Sequence, residues 1–305
     1  MTTKTAGVAA TVGAYLLWGV LPLYFLALVP TGPWEVVAWR VLLSFVFCLI
    51  LLTVMRGWGA LGVIVRQPRL LGWTAVAGVL IYVNWQVFLI GTLTGHVIET
   101  SLGYFINPIF TVVLGVLVLR ERISRLQLVA IGIAAIAVIV IIVAYGQFPW
   151  IALSLTASFG IYGLVKKRIG AAVDAVSGLT LESFWLIPIA VVTLIVVAQT
   201  DAAGITFGAV SVPHTLLVAG AGIATAVPLL LFAAGTRRID LSLVGMFQFI
   251  TPVMQFLVGW ALLREPMPAE RWIGFALVWC AIIVFVVDLL TSRRRGRRGM
   301  PSELV

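Results

Sequence analysis

Thr100, Tyr104, Asn107 and Thr111 recur at steps of four, three and four, a spacing that places hydroxyl and amide groups on one face of a helix. Gln248, Thr251 and Gln255 repeat the last three of these positions 144 residues later. Neutral donors and acceptors of this kind hold and orient a polar molecule rather than activate a nucleophile. Each stripe carries a proline at the same point, Pro108 and Pro252. A helical proline frees the carbonyl four residues before it, here those of Tyr104 and Gln248. Hydrogen bonding between helices is the alternative use of such residues. Ser154, Ser158 and Tyr162 form another polar face at i, i+4 and i+8, and Trp18 stands 144 residues before Tyr162. Aromatics with hydroxyls suit an amphipathic organic molecule better than a bare ion, although aromatics also fill helix crossings. Asn84 and Gln86 lie about 200° apart around a helix axis, so Asn84 is read as facing the interior site and Gln86 as meeting a neighbouring helix. The substrate-binding candidates are therefore Trp18, Asn84, Tyr104, Asn107, Thr111, Tyr162, Gln248, Thr251 and Gln255.

Four charges stand in or beside apolar runs. Arg40 is about two turns inside its run, where it snorkels, binds a partner across helices or reaches substrate. Glu182 is a coupling group for protons or substrate, or else half of a structural ion pair. Glu99 is read as a helix-end charge complementing the helix dipole, and Asp288 as a partner of the basic tail. The two histidines, His96 and His214, share no metal-ligand spacing with acids or cysteines, and no Walker loop or dinucleotide fingerprint occurs, so neither a metal nor a cofactor is expected. Cys48 and Cys280 lie inside apolar runs, where packing is their expected role.

The elements that must position these groups are transmembrane helices. Of 305 residues, 62% are hydrophobic and 10% charged, with a mean hydropathy of +1.16, which is outside the range of soluble domains. A span takes about 20 apolar residues. Ten spans are expected, at 6–29, 33–55, 70–92, 98–119, 126–145, 148–165, 177–199, 213–236, 241–263 and 270–290, with no room for a soluble catalytic domain. The first run lacks a small-residue cleavage pattern and reads as a retained helix.

Basic residues cluster in alternate connections: Arg56, Arg66 and Arg69; Arg120, Arg122 and Arg125; Lys166, Lys167 and Arg168; Arg237 and Arg238. Lys4 and the tail arginines 293–295, 297 and 298 join them, leaving only Arg40, Arg264 and Arg271 of the 20 basic residues elsewhere. Positive loops stay on the cytoplasmic side, so both termini are expected there. The net charge of +9 then reflects topology and attraction of the tail to anionic lipid headgroups, not nucleic-acid binding.

The offset of 144 extends along the chain. Phe105, Ile106, Pro108, Leu119, Arg120 and Glu121 return as Phe249, Ile250, Pro252, Leu263, Arg264 and Glu265, while Gly78 matches Gly222, Gly91 matches Gly235 and Gly19 matches Gly163. Two five-helix units are expected, 1–145 and 146–291, followed by a polybasic tail, 292–305. Because five is odd, the second unit enters the membrane inverted, a construction recurrent in secondary transporters. The fold class is thus all-α integral membrane, with ten helices in two inverted five-helix repeats. Duplication kept only for packing is the alternative.

The segments NWQVFLIGTLTGHVIETSLGYFINP at 84–108, LRERISRLQ at 119–127, LESFWLIP at 181–188, TAVPLLLF at 225–232 and FQFITP at 247–252 resemble the RarD group of the EamA family, within the drug/metabolite transporter superfamily. The resemblance runs from AYLLWG at 14–19 to the last run. It implies ten helices, residence in the bacterial cytoplasmic (inner) membrane and permease activity, with a chloramphenicol-sensitivity label that points to drug or metabolite export. Trp18, Arg40, Asn84, Glu99, Tyr104, Asn107, Glu182 and Pro228 stand in its motifs. The expected function is a secondary transporter of small organic metabolites or drugs, exporting by alternating access and driven by protons or by substrate exchange. An intramembrane enzyme acting on a lipid-linked substrate, or a structural membrane partner, are the alternatives.

Overall fold

The computed structural model describes residues 3–120, 124–145, 148–169, 172–200, 204–236, 238–239 and 247–298, and every regular element among them is helical. The helices are α1 (Thr3–Leu26), α2 (Pro33–Val54), α3 (Trp58–Val65), α4 (Pro68–Leu93), α5 (Val97–Leu119) and α6 (Arg125–Tyr145). There follow α7 (Trp150–Ile169), α8 (Ala175–Thr200), α9 (Val212–Ala219), α10 (Ala221–Thr236), α11 (Ile250–Leu257) and α12 (Ala269–Arg298). A π turn over Val258–Leu262 prolongs α11.

Local chemistry explains several boundaries. Pro33 and Pro68 open α2 and α4, where a missing N–H costs nothing. Asp174 Oδ1 accepts the Val176 and Ser177 N–H groups at the head of α8, and Ser211 Oγ accepts the His214 N–H at the head of α9. Arg120 and Arg264, 144 residues apart, follow their helices with the same left-handed φ of 55°. That conformation costs a side-chain-bearing residue about 1–2 kcal/mol, so its recurrence marks two equivalent helix ends.

Eight helices are long and apolar enough to cross a membrane, and two shorter apolar helices cover Trp150–Lys166 and Ile250–Leu262. The architecture is that of a multi-pass membrane protein. All ten expected runs contain apolar helix among the described residues, with several differences of detail from the sequence reading. The sixth is short because Lys166, Lys167 and Arg168 end its apolar stretch. The eighth breaks at Gly220 into α9 and α10, and a short apolar helix, α3, occupies the connection expected to be irregular. The ninth is described only from residue 247, and α12 continues helical to Arg298, past the expected limit of 290. Glu121, Arg122, Asp201, Arg237 and residues 299–305 of the basic tail lie outside the described residues.

Adding 144 to the residue numbers carries α1, α2, α4, α5 and α6 onto α7, α8, α9–α10, α11 and α12. The packing follows the same shift. α5 lies on α7 as α11 lies on α1; α4 lies on α7 as α10 lies on α1; and α4 lies on α8 as α10 lies on α2. Counterparts meet directly in α2 with α8, α5 with α11, and α6 with α12. Two crossings depend on glycine. A Cβ at Gly78 would stand 2.9 Å from the Glu182 carbonyl oxygen, and one at its counterpart Gly222 would stand 2.5 Å from the Leu43 carbonyl carbon. The largest buried cluster, including Phe25, Val41, Trp85, Phe88, Leu155 and Leu186, joins α1, α2 and α4 to α7 and α8. A second, around Ile98, Phe105, Phe256, Phe275 and Val278, joins α5, α11 and α12.

Candidate functional site

One end of the bundle carries the connections that hold Glu35, Glu99 and Glu265; the other carries most of the arginines and lysines. At the acidic end three carboxylates each join a residue before position 145 to one after it. Glu35, 1% exposed, accepts the N–H groups of Thr206 at 3.0 Å and Phe207 at 3.0 Å, the Thr206 hydroxyl at 2.9 Å and the Trp39 indole N–H at 3.2 Å. Glu99 accepts the Ile151 N–H at 3.0 Å and the Ala152 N–H at 3.4 Å, at the start of α7. Glu265 accepts the Val97 N–H at 2.6 Å and the Ile98 N–H at 2.9 Å, at the start of α5. Burial pushes the Glu265 carboxyl above the usual carboxylate range, against the downward pull of those two N–H groups. Glu99 is thus a helix-end charge, as its position suggests, but the helix whose free N–H groups it satisfies is α7 rather than only its own.

The interior polar groups lie at a common depth. Arg40 is seven residues from the start of α2, Tyr104 seven from the start of α5, Trp18 eight from the end of α1 and Asn84 nine from the end of α4. At 1.5 Å per residue these depths are about 10–14 Å, near the middle of a hydrocarbon layer about 30 Å thick. Asn84, 2% exposed, is the hub of one group. Its Oδ1 accepts the Tyr104 hydroxyl at 3.1 Å, and its Nδ2 donates to Ser158 Oγ at 3.2 Å and to the Leu155 carbonyl at 3.3 Å. The Asn84 side chain therefore ties α4 to α5 and α7. Asn107 lies one turn beyond Tyr104 beside Gly160 of α7, and its buried Oδ1 has no hydrogen-bond partner.

The equivalent surface of α11 faces α1. Thr251 donates to the Tyr15 carbonyl at 2.8 Å, and Gln255 Nε2 donates to the Trp18 carbonyl at 3.2 Å while its buried Oε1 has no partner. The Trp18 ring packs edge-on against Tyr15 and tilted against Phe232, at centroid distances of 5.5 and 5.6 Å. The helices that carry the two stripes, α5 and α11, pack on each other, while Asn107 lies against α7 and Thr251 and Gln255 lie against α1. Gln248 is half-buried. Thr111 is exposed and donates to the Asn107 carbonyl, so it lies beyond the enclosed part of its stripe.

Glu182 sits apart from this layer, seven residues into α8 from the basic end. It pairs with Lys166 at 2.7 Å and accepts the Tyr162 hydroxyl at 3.1 Å. Tyr162 is hydrogen-bonded to Glu182, and its ring packs on Phe159 at 6.0 Å, which in turn packs on Tyr104 at 6.1 Å. Arg40, 4% exposed, donates from Nε to Thr225 at 2.8 Å and stands over the Trp85 and Phe25 rings. Arg40 and Glu182 thus have separate partners. Gln86, expected to bond a neighbouring helix, is buried with both polar atoms unpartnered. Asp288 accepts the Ser124 hydroxyl at 2.6 Å, and the tail side chains it is expected to meet lie outside those described. No group of three metal-ligating side chains occurs among the described residues.

Glu35, Lys166 and Thr225 were not singled out by sequence. Glu35 in a first helical turn is ordinary, Lys166 reads as a loop cation, and Thr225 has no periodic partner. Only spatial neighbours distinguish them.

Residues 5–143 match the EamA-like transporter family. Protein RarD of Streptomyces exfoliatus is 40% identical over 291 residues, covering 95% of this chain and 91% of its own. Protein RarD of Escherichia coli strain K12 is 38% identical over 289 residues, covering 95% and 96%. A solved crystal structure with 16% sequence identity aligns at a TM-score of 0.60 over 94% of this chain and 99% of its own, a likeness of fold.

Proposed function

The chain belongs to the EamA-like transporter family, within its RarD group, and on that premise we propose that it is a secondary transporter of small amphipathic organic molecules, exporting them across the bacterial cytoplasmic membrane. The transport cycle is alternating access, in which units 1–145 and 146–291 rock against each other around the layer of Asn84, Tyr104, Asn107 and Gln255. Each unit spans the membrane five times, the second inverted, with both termini and the 292–305 tail on the cytoplasmic side. Support for the two units comes from the paired packing, the matched left-handed ends at Arg120 and Arg264, and the matched close crossings at Gly78 and Gly222.

The observation that carries the site is the pair of unpartnered acceptors, Asn107 Oδ1 and Gln255 Oε1, on matching stripes of the two units. A buried acceptor without a donor costs about 1–3 kcal/mol, and a ligand N–H or O–H removes that cost. Thermal-shift titration of detergent-purified protein with amphenicols, amino acids and nucleosides tests this. A compound that stabilises wild type is expected to bind at least tenfold more weakly to Asn107→Ala and to Gln255→Ala. Equal stabilisation of wild type and both variants would falsify the site.

The driving force is proton movement through Glu182. Its ion pair with Lys166 holds the carboxylate ready, and an incoming proton releases Lys166 and Tyr162 together. In proteoliposomes, Glu182→Gln is expected to lower pH-gradient-driven flux at least tenfold while leaving substrate exchange at zero gradient within twofold. If both fluxes fall in parallel, the side chain is structural.

A further inference from the structure

Arg40 is an intramembrane cation without a counterion. No carboxylate among the described residues comes within ion-pair distance of it. The two acids closest along its packing partners are committed elsewhere, Glu35 to the 206–207 backbone and Glu182 to Lys166. Its Nε is used by Thr225, its carbon Cζ stands 4.2 Å from the Trp85 ring centroid and 5.3 Å from that of Phe25, and its buried Nη1 has no hydrogen-bond partner. Ring faces stabilise a guanidinium but do not satisfy its N–H groups. An uncompensated charge at this depth costs several kcal/mol. The aromatic layer leads from Arg40 to the proposed site, since Phe25 packs on Phe88 at 6.1 Å and Phe88 on Tyr104 at 5.9 Å.

We propose that Arg40 Nη1 anchors the carboxylate of the transported molecule, so that the substrate class is aromatic or otherwise amphipathic monocarboxylates, with the apolar body resting on Phe88 and Tyr104. The charge count selects a monoanion. One unpaired guanidinium neutralises one carboxylate, whereas a phosphate dianion needs a second cation, and Lys166 already holds Glu182. The unpartnered oxygens of Asn107 and Gln255 would accept donors at the other end of such a molecule. This assignment rests on the transporter reading above.

The test uses full-length protein and matched probes: indole-3-acetate with indole-3-acetamide, and phenylacetate with phenylacetamide. Binding is read by thermal shift, and transport by counterflow in proteoliposomes. In wild type each carboxylate is expected to bind at least tenfold more tightly than its amide. Arg40→Gln is expected to abolish that preference and Arg40→Lys to retain part of it, with monodispersity on size exclusion as the folding control. The wild-type comparison stands alone if Arg40→Gln does not fold. Equal binding of acid and amide, absence of binding by both carboxylates, or an unchanged preference in a folded Arg40→Gln overturns the anchor. Counterflow separates this from the transporter reading. Carboxylates transported at wild-type rates by a folded Arg40→Gln sink the anchor and leave transport standing. Carboxylates that bind through Arg40 but are never transported keep the anchor and sink transport.

Discussion

Gly222→Ala is expected to destabilise the protein by about 2–3 kcal/mol, the upper part of the usual range for overpacking. The added methyl would lie 2.5 Å from both the carbon and the oxygen of the Leu43 carbonyl and 2.9 Å from the Ser44 nitrogen. These are backbone atoms of α2, so no side chain can rotate away and α10 must move bodily. That movement would also displace Thr225, one turn along, from Arg40. Gly78→Ala should behave similarly against Glu182, with a smaller loss because its closest contact is 2.9 Å. Gly163→Ala is the control, since a Cβ there meets nothing within 4 Å. It should leave the melting temperature unchanged or raise it slightly, because alanine is favoured over glycine in a helix by about 0.5–1 kcal/mol. Tm measured on purified protein in one detergent decides the matter, and a Gly222→Ala variant melting with wild type refutes the close crossing.

Glu35→Ala is expected to cost about 3–5 kcal/mol. The substitution leaves the backbone N–H groups of Thr206 and Phe207 without an acceptor, while the Thr206 hydroxyl keeps Thr31 at 2.7 Å, and each buried orphan costs about 1–3 kcal/mol. Glu35→Gln keeps one acceptor oxygen and should lose about half as much. Beyond a lower Tm, the alanine variant should become cleavable by protease within 204–211, because Glu35 is what fixes the start of that segment to α2. Protection equal to wild type, with an unchanged Tm, would show that the segment is held by other contacts.

The parts of this structure legible in the sequence are those written in periodicity. Apolar run length gives the helices, and the 144-residue offset gives the pairing of Gly78 with Gly222 and of Asn107 with Thr251. Asn84 and Tyr104 are each legible as interior polar residues, but the bond between them is visible only in the structure. Contacts between distant segments leave no such trace. Glu99 was assigned to its own helix because sequence neighbours are all a pattern can show, whereas its acceptor oxygen meets residues 52 and 53 positions later. Gln86 was assigned a partner because amides at depth usually have one, and it has none. The break at Gly220 and the short α3 escaped for a different reason, since neither interrupts hydrophobicity.

The three carboxylate bridges at the acidic end have a kinetic consequence. Opening a passage there separates the two units and must break all of them together, with their donors still shielded from water. Among the described residues, side-chain bonds between the units nearer the basic end include Ser124 to Asp288 at 2.6 Å and the Trp185 indole to Thr74 at 3.2 Å, each a single bond, while the Glu182–Lys166 pair lies wholly inside one unit. In the alternating-access cycle proposed above, the two half-reactions would therefore have unequal barriers. Even about 3 kcal/mol of difference separates their rates by roughly two orders of magnitude. On that proposal, turnover would be set by the release of one end, the protein would dwell in the form sealed at Glu35, Glu99 and Glu265, and the rate would climb steeply with temperature whatever molecule is carried.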